Sequence, residues 1–271
     1  MRERSGTLRW LLLTAVLAIT AAGLVLATRA GAAPESAQQI GAMPSPDGRL
    51  IYVTPNTVRL AGPNVYAAAT AVTQVTYGAT HHEDRPHAVS LVRADREADA
   101  MLAASRITHF PVNAPVLYVD EDRLPPETLA ELRRLGPDGN VYDSNVQVYL
   151  VGPISQRVET EVEETLGFKT RAFRVDDPVA LSEALDTWAA AVHGDHPDEV
   201  AVVQLDALTT GLPVVAWNAH MGHGLVFVEG DAVPDATRRV LSRRYRGEAF
   251  VYLFGDTPAT SGRAPRERPA H

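Results

Sequence analysis

The chain contains no cysteine, which excludes disulfides and thiol chemistry outright. A small secreted scaffold without cysteine would be unusual. A chain of 271 residues, 45% of them hydrophobic, buries one large core or two moderate ones and needs no such staples. The familiar catalytic fingerprints are also missing: no Gly-x-Ser-x-Gly elbow, no phosphate loop ending in Gly-Lys-Ser/Thr, no Gly-x-Gly-x-x-Gly and no His-Glu-x-x-His. Without a glycine loop an α/β sheet has no evident seat for a dinucleotide. The expectation is a protein that is not an enzyme and takes no cofactor.

Positive charge is in short supply. The formal net charge is −8, and four Arg against one Glu in the first 32 residues leave the remainder at −11. An acidic body argues against nucleic acid as a partner, because such binding runs on Lys and Arg neutralising phosphates.

What is present begins with Arg2, Arg4 and Arg9, an apolar run from Trp10 to Ala27, and Ala30-Gly-Ala-Ala33. Positive flank, apolar centre and small-residue site are the parts of a secretory signal. The run is also nearly long enough to cross a bilayer. Residues 1–33 therefore read as a signal peptide or an N-terminal membrane anchor, the only segment expected to meet a membrane, and either way the body works outside the cytoplasm. Residues 34–57 read as linker with an edge segment, and the aperiodic tail 257–271 as disordered.

The chain is organised around a unit written twice. Pro115-Val-Leu-Tyr-Val119, Leu124-Pro-Pro-Glu-Thr128, a Leu/Arg helix pattern and Val148-Tyr-Leu-Val-Gly152 reappear as Gly224-Leu-Val-Phe-Val228, Val233-Pro-Asp-Ala-Thr237, an Arg-rich helix pattern and Val251-Tyr-Leu-Phe-Gly255. Thr128 to Thr237 is an offset of 109 and Gly152 to Gly255 one of 103, so the second copy is six residues shorter between helix and closing strand. Asp206-Ala-Leu208 echoes Asp99 to Leu102 and extends the repeat backwards. Short, continuous apolar runs predict strands buried on both faces. Pro125 or Pro126 suits a first helical turn, and two strands joined by such a helix lie parallel. Asp177-Pro178 predicts a capped helix carrying Leu181, Leu185, Trp188 and Val192 inward. Strand and helix alternate from residue 58 to 255. The predicted fold is α/β, two tandem Rossmann-like modules with parallel sheets flanked by helices, at 58–168 and 169–256.

The ordered set Arg59-Leu-Ala-Gly62 with Tyr66, Asp99-Ala, Ala114-Pro-Val-Leu117, Leu124-Pro-x-x-Thr128 and Val148-Tyr-Leu-Val-Gly152 resembles the bacterial cell wall-binding repeat 2 family, and much of it recurs in the second copy. The resemblance implies an exported Rossmann-like module that attaches proteins noncovalently to anionic polymers of the cell wall. Family modules usually come in threes, where this chain shows two. The family's opening Arg, Tyr and Glu-Thr-Ala becomes Val65-Tyr-Ala-Ala-Ala69 here.

Candidate binding residues follow from two lines. Ligands of open parallel sheets bind beyond the carboxyl ends of the strands. Those ends carry Gly62, Asn64, Asp120, Gly152, Asp176, Asp177, Glu229, Gly255 and Asp256, a mostly acidic rim that would repel a polyanion unless cations bridge the two. Arg238, Arg239, Arg243, Arg244 and Arg246 crowd one helix, with Arg133 and Arg134 at the corresponding place in the first copy. They form either a dipole-complementing, solubilising face or a polyanion-binding ridge. The candidate polymer-binding set is Arg59, Asn64, Tyr66, Arg133, Arg134, Arg239, Arg243 and Arg244. His81-His-Glu-Asp84 with His87 has metal-ligand chemistry, but neighbouring loop side chains seldom converge on one ion, and no metal is expected. Two other readings are a small-ligand binder using the cleft between modules and a metal-dependent hydrolase at the His81 loop.

Overall fold

The computed structural model describes residues 40–44 and 50–53 as backbone, and 56–244 and 250–255 in full. The expected signal or anchor at 1–33, the tail 257–271 and most of the linker lie outside the described residues, as do Arg246 and Asp256. The chain divides into two compact units, residues 1–43 with 52–59, and 44–51 with 60–271. Three short strands come first: β1 (Ile40–Pro44), β2 (Leu50–Val53) and β3 (Val58–Ala61). All that follows belongs to the second unit.

That unit runs α1 (Val65–Thr76), β4 (Val89–Arg93), α2 (Glu97–Arg106), β5 (Val116–Val119), α3 (Pro126–Leu135), β6 (Val148–Val151), α4 (Gln156–Leu166), β7 (Thr170–Phe173), α5 (Pro178–His193), β8 (Glu199–Gln204), α6 (Leu208–Met221), β9 (Gly224–Val228), α7 (Asp235–Arg243) and β10 (Phe250–Phe254). Local chemistry sets the helix ends. The Asp177 carboxylate accepts from the amides of Val179 and Ala180 ahead of Pro178, and Asn64 accepts from the amide of Ala67. At the other end, Gly136 and Gly167 take the left-handed conformation that closes α3 and α4.

The strands form two parallel sheets, β5-β4-β6-β7 and β10-β8-β9. The fold is thus the α/β pair of Rossmann-like modules expected, and the repeat holds at the level of register. Ser90 stands opposite Val116 as Ala201 stands opposite Leu225, and Val89 opposite Val148 as Val200 opposite Val251. This register corrects one correspondence. Arg93 matches Gln204, so Asp206 is the counterpart of Asp95, two residues past its strand, and not of Asp99. The counterpart of Asp99 is Thr210, third residue of α6 as Asp99 is third of α2. A Cβ on Gly152 would lie 2.4 Å from Asp99 Oδ2, and one on Gly255 would lie 2.8 Å from Thr210 Oγ1.

The strand that opens the second copy is handed to the first sheet, since β7 pairs with β6 and not with any strand of the β8 sheet. The modules share one core. Tyr149, Phe173 and Trp188 meet edge to face or stacked, with Trp188 5.1 Å from Tyr149 and 5.7 Å from Phe173 between ring centroids. Such aromatic pairs add about 0.5–1.5 kcal/mol beyond the area they bury. Asp143, on the helix-to-strand loop that is longer in the first copy, accepts from the Trp188 indole at 2.8 Å, the Tyr149 hydroxyl at 3.1 Å and Arg171 at 2.5 Å.

A second latch is ionic. Arg106 of α2 is buried and donates to the carbonyls of Gly222 and His223 at 2.5 and 2.8 Å, while Asp186 of α5 holds Arg244 and stands 3.8 Å from Arg106. Burial pushes the Arg106 guanidinium down to about 10, so it remains cationic at neutral pH. Gly222, with φ +77°, is also required by space, because a Cβ there would meet His109 Nε2 at 2.5 Å. Among the described residues the contact between the modules is therefore packed core and paired charge.

Candidate functional site

In the first sheet, β4 is followed by a strand on one side and later by a strand on the other. The topological switch point of this order lies between β4 and β6, and the carboxyl ends of β4 and β5 form the crevice beside it. A concavity of about 370 Å³ lies there, lined by Tyr66, Arg93, Ala94, Asp95, Asp120 and Glu121.

Each lining group is positioned by a strand end or a cap. Arg93, last residue of β4, grips Asp95 through Nε at 3.0 Å and Nη2 at 2.7 Å, and reaches Glu121 with Nη1 at 2.7 Å. This fork holds the Asp95 carboxyl below the ordinary carboxylate range. Asp120, just past β5, accepts from the Tyr66 hydroxyl and pairs with Arg123. The hydrogen bond to Asp120, then burial, pushes the Tyr66 phenol upward, and the Arg123 guanidinium carbon stands 6.0 Å from the centre of the ring. Asn64, besides capping α1, donates to Glu127 at 2.9 Å. Behind the rim the fully buried Asp99 accepts from Arg96 at 2.8 Å, its other oxygen has no partner, and burial pushes its pKa up.

The rim is therefore a set of carboxylate acceptors aligned by two arginines, beside a fixed aromatic ring. It can receive hydroxyl donors and bind a cation-bridged anion. The lining residues include no His, Ser or Cys, and so no nucleophile–base pair. In the second sheet the matching positions are Gln204, Asp206 and Glu229, with neither arginine retained.

The seven candidate residues of the larger unit do not come together. Asn64 and Tyr66 stand at the rim, while Arg59 is exposed and belongs to the other compact unit. Arg133 is exposed on α3. Arg134 is engaged by Glu131 at 2.6 Å and by the carbonyls of Tyr77 and Gly78. Arg239 and Arg243 both clasp Glu183 of α5, at 2.7 and 2.6 Å. Arg244 is almost fully buried and ion-paired with Asp186. The arginines of α7 thus form no free ridge, because α5 lays carboxylates alongside them. What the sequence reading missed is Arg93, Asp95, Glu121 and Arg123. Their signal was available: charged residues at and just past the carboxyl ends of β4 and β5.

The His81 loop contains a 3₁₀ turn at His82–Asp84, in which Asp84 accepts from Thr80 and from the His81 amide, each at 2.8 Å. His82 faces Asp138 at 3.4 Å. Among the described residues no three His, Asp or Glu side chains are placed to hold a metal.

Compared with known proteins, no family model matches the chain, and no curated protein does either. Solved structures do. Cwp6 from Clostridium difficile superposes with a TM-score of 0.58 at 18% identity over 74% of this chain, and Cwp8 from Clostridium difficile with 0.54 at 20% over 72%. The match spans about 30% of each of those chains. At these identities the likeness establishes the fold: the chain is built as paired Rossmann-like modules of the kind found in part of Cwp6 and Cwp8.

Proposed function

We propose that the chain is an exported, non-catalytic attachment protein of the cell envelope that holds an anionic wall glycopolymer noncovalently. The observation that carries this reading is the twofold unit, matched in register across two sheets, whose residue order resembles that of the cell wall-binding repeat 2 family. The fold shared with Cwp6 and Cwp8 supports it.

The binding surface in this reading is the β4/β5 rim. Its concavity is at the small end of ligand sites, the size of a polymer's repeating unit and not of a long stretch. Tyr66 offers a ring face, Asn64 and the carboxylates offer partners for sugar hydroxyls, and Arg123 beside the ring is a cation for anionic groups. Because the rim is acidic, a divalent cation bridges it to the polymer's own charges. The test is cosedimentation with purified cell walls, with and without calcium and at raised salt. Retention that calcium strengthens supports the proposal, and failure to sediment under every condition overturns it.

A further inference from the structure

The second module docks on the first through β7 and α5. β7 lies along β6, and Leu181, Leu185 and Trp188 of α5 are buried in the shared core. In the repeat the counterpart of this docking pair is β3 with α1, since Asn64 caps α1 on the Ala67 amide as Asp177 caps α5 on the Ala180 amide. The positions matching Leu185 and Trp188 are then Val72 and Val75, which are 50% and 49% exposed.

The receiving face has an uncovered counterpart too. In the first module it is the edge of β6 with α2; in the second it is β10 with α6. Tyr149 is fully buried, whereas the matching Tyr252 is 39% exposed, and Met101 is 3% exposed against 48% for the matching Leu212. β10 has β8 on one side and no described strand on the other. Among the described residues the chain therefore makes one such interface internally and leaves the α1 face and the β10 face of a second one uncovered, β3 itself being paired with β2. The two open halves also suit each other in chemistry. The loop bearing Asp143 is shortened in the second copy, and where α5 brings an indole needing that acceptor, α1 brings Val75, which needs none.

We propose that a second copy of this chain occupies these faces: α1 packs on α6 and over the free edge of β10 of the next copy, repeating head to tail the contact between modules. An unpaired edge reading Phe-Val-Tyr-Leu-Phe is otherwise an open template for association. The interface is heterologous, so each copy keeps one face open until a ring closes.

The absence of cysteine makes the test clean. By analogy with Tyr149 against Trp188, Tyr252 of one copy faces Val75 of the next. Val75→Cys and Tyr252→Cys are introduced separately into the full chain, mixed in equal amounts and oxidised. The mixture should yield a product of twice the chain mass, and neither variant alone should. Adding Leu212→Glu to the Tyr252→Cys chain should abolish the product without changing its melting temperature. No mixed product, as expected if the chain's own residues cover β10, overturns the proposal. So does cross-linking by either variant alone to the same extent, which marks a symmetric or random contact.

Discussion

The hydroxyl of Thr237 donates to the carbonyl of Phe227 at 2.6 Å, and Thr128 does the same to Tyr118 at 2.6 Å. In each copy the first turn of the sheet-covering helix is thereby tied to the strand ten residues before it, and both threonines are fully buried. Replacing either by Val keeps the shape and removes the bond. Thr128→Val and Thr237→Val should each cost about 1 kcal/mol in urea denaturation. The double variant should show their sum, because the sites lie in different sheets. Coupling between them would show that the two helix-to-strand ties are not independent.

Trp188→Phe removes the indole donor from Asp143 while preserving an aromatic ring. A hydrogen bond to a charged group is worth about 1.5–3 kcal/mol, so stability should fall by that order. Tyr149→Phe, whose bond to the same carboxylate is longer at 3.1 Å, should cost less. The comparison is made by denaturant titration of the two variants.

Asp186→Ala strands Arg244, and leaves Arg106 without its nearest carboxylate. Breaking a buried pair by deleting one partner costs about 3–5 kcal/mol. The combined Asp186→Leu/Arg244→Met variant should recover part of that loss. A single variant as stable as the parent would show that this cluster contributes nothing to holding the modules together.

Acid should loosen the same region. His223 is 5% exposed, and burial first, then Arg106 and His109, depress its pKa against the opposing pull of Glu199. The unfolded chain therefore takes up the proton before the folded one does. Stability present above the ordinary histidine value of about 6.5 is lost as pH falls below it. His223→Gln should flatten the dependence of unfolding free energy between neutral pH and pH 5, and an unchanged slope would clear this residue of any part in it.

At the rim, Tyr66→Phe keeps the ring and frees Asp120, whereas Tyr66→Ala removes both contributions. If the ring face supports a sugar, wall retention should survive the first change and drop several-fold in the second. Equal losses would mean that the hydroxyl–carboxylate pair, not the ring, is what matters.

Much of this architecture was legible in the residues. The doubled pattern foretold two parallel sheets, and Asp177-Pro178 foretold the start of α5, because capping and apolar periodicity are local. The failures were non-local. Asp206 was matched to Asp99 through a shared Asp-Ala dipeptide, and only strand register assigns it to Asp95. The arginines of α7 suggested an open ridge because nothing in their own segment announces Glu183 and Asp186 some 56 to 60 residues earlier. The rim was half found: Asn64, Tyr66 and Asp120 stood out, while Arg93 and Asp95 were hidden until the strand ends converged.

That β7 lies in the first sheet sets the period of the written repeat out of phase with the closure of the fold. A fragment cut at residue 168 would lack the fourth strand of its sheet, and the remaining piece would begin with a strand that has no berth. Limited proteolysis should accordingly release no stable half. A single copy of the repeat would be incomplete in the same way, dependent on a neighbour for the fourth strand of its sheet.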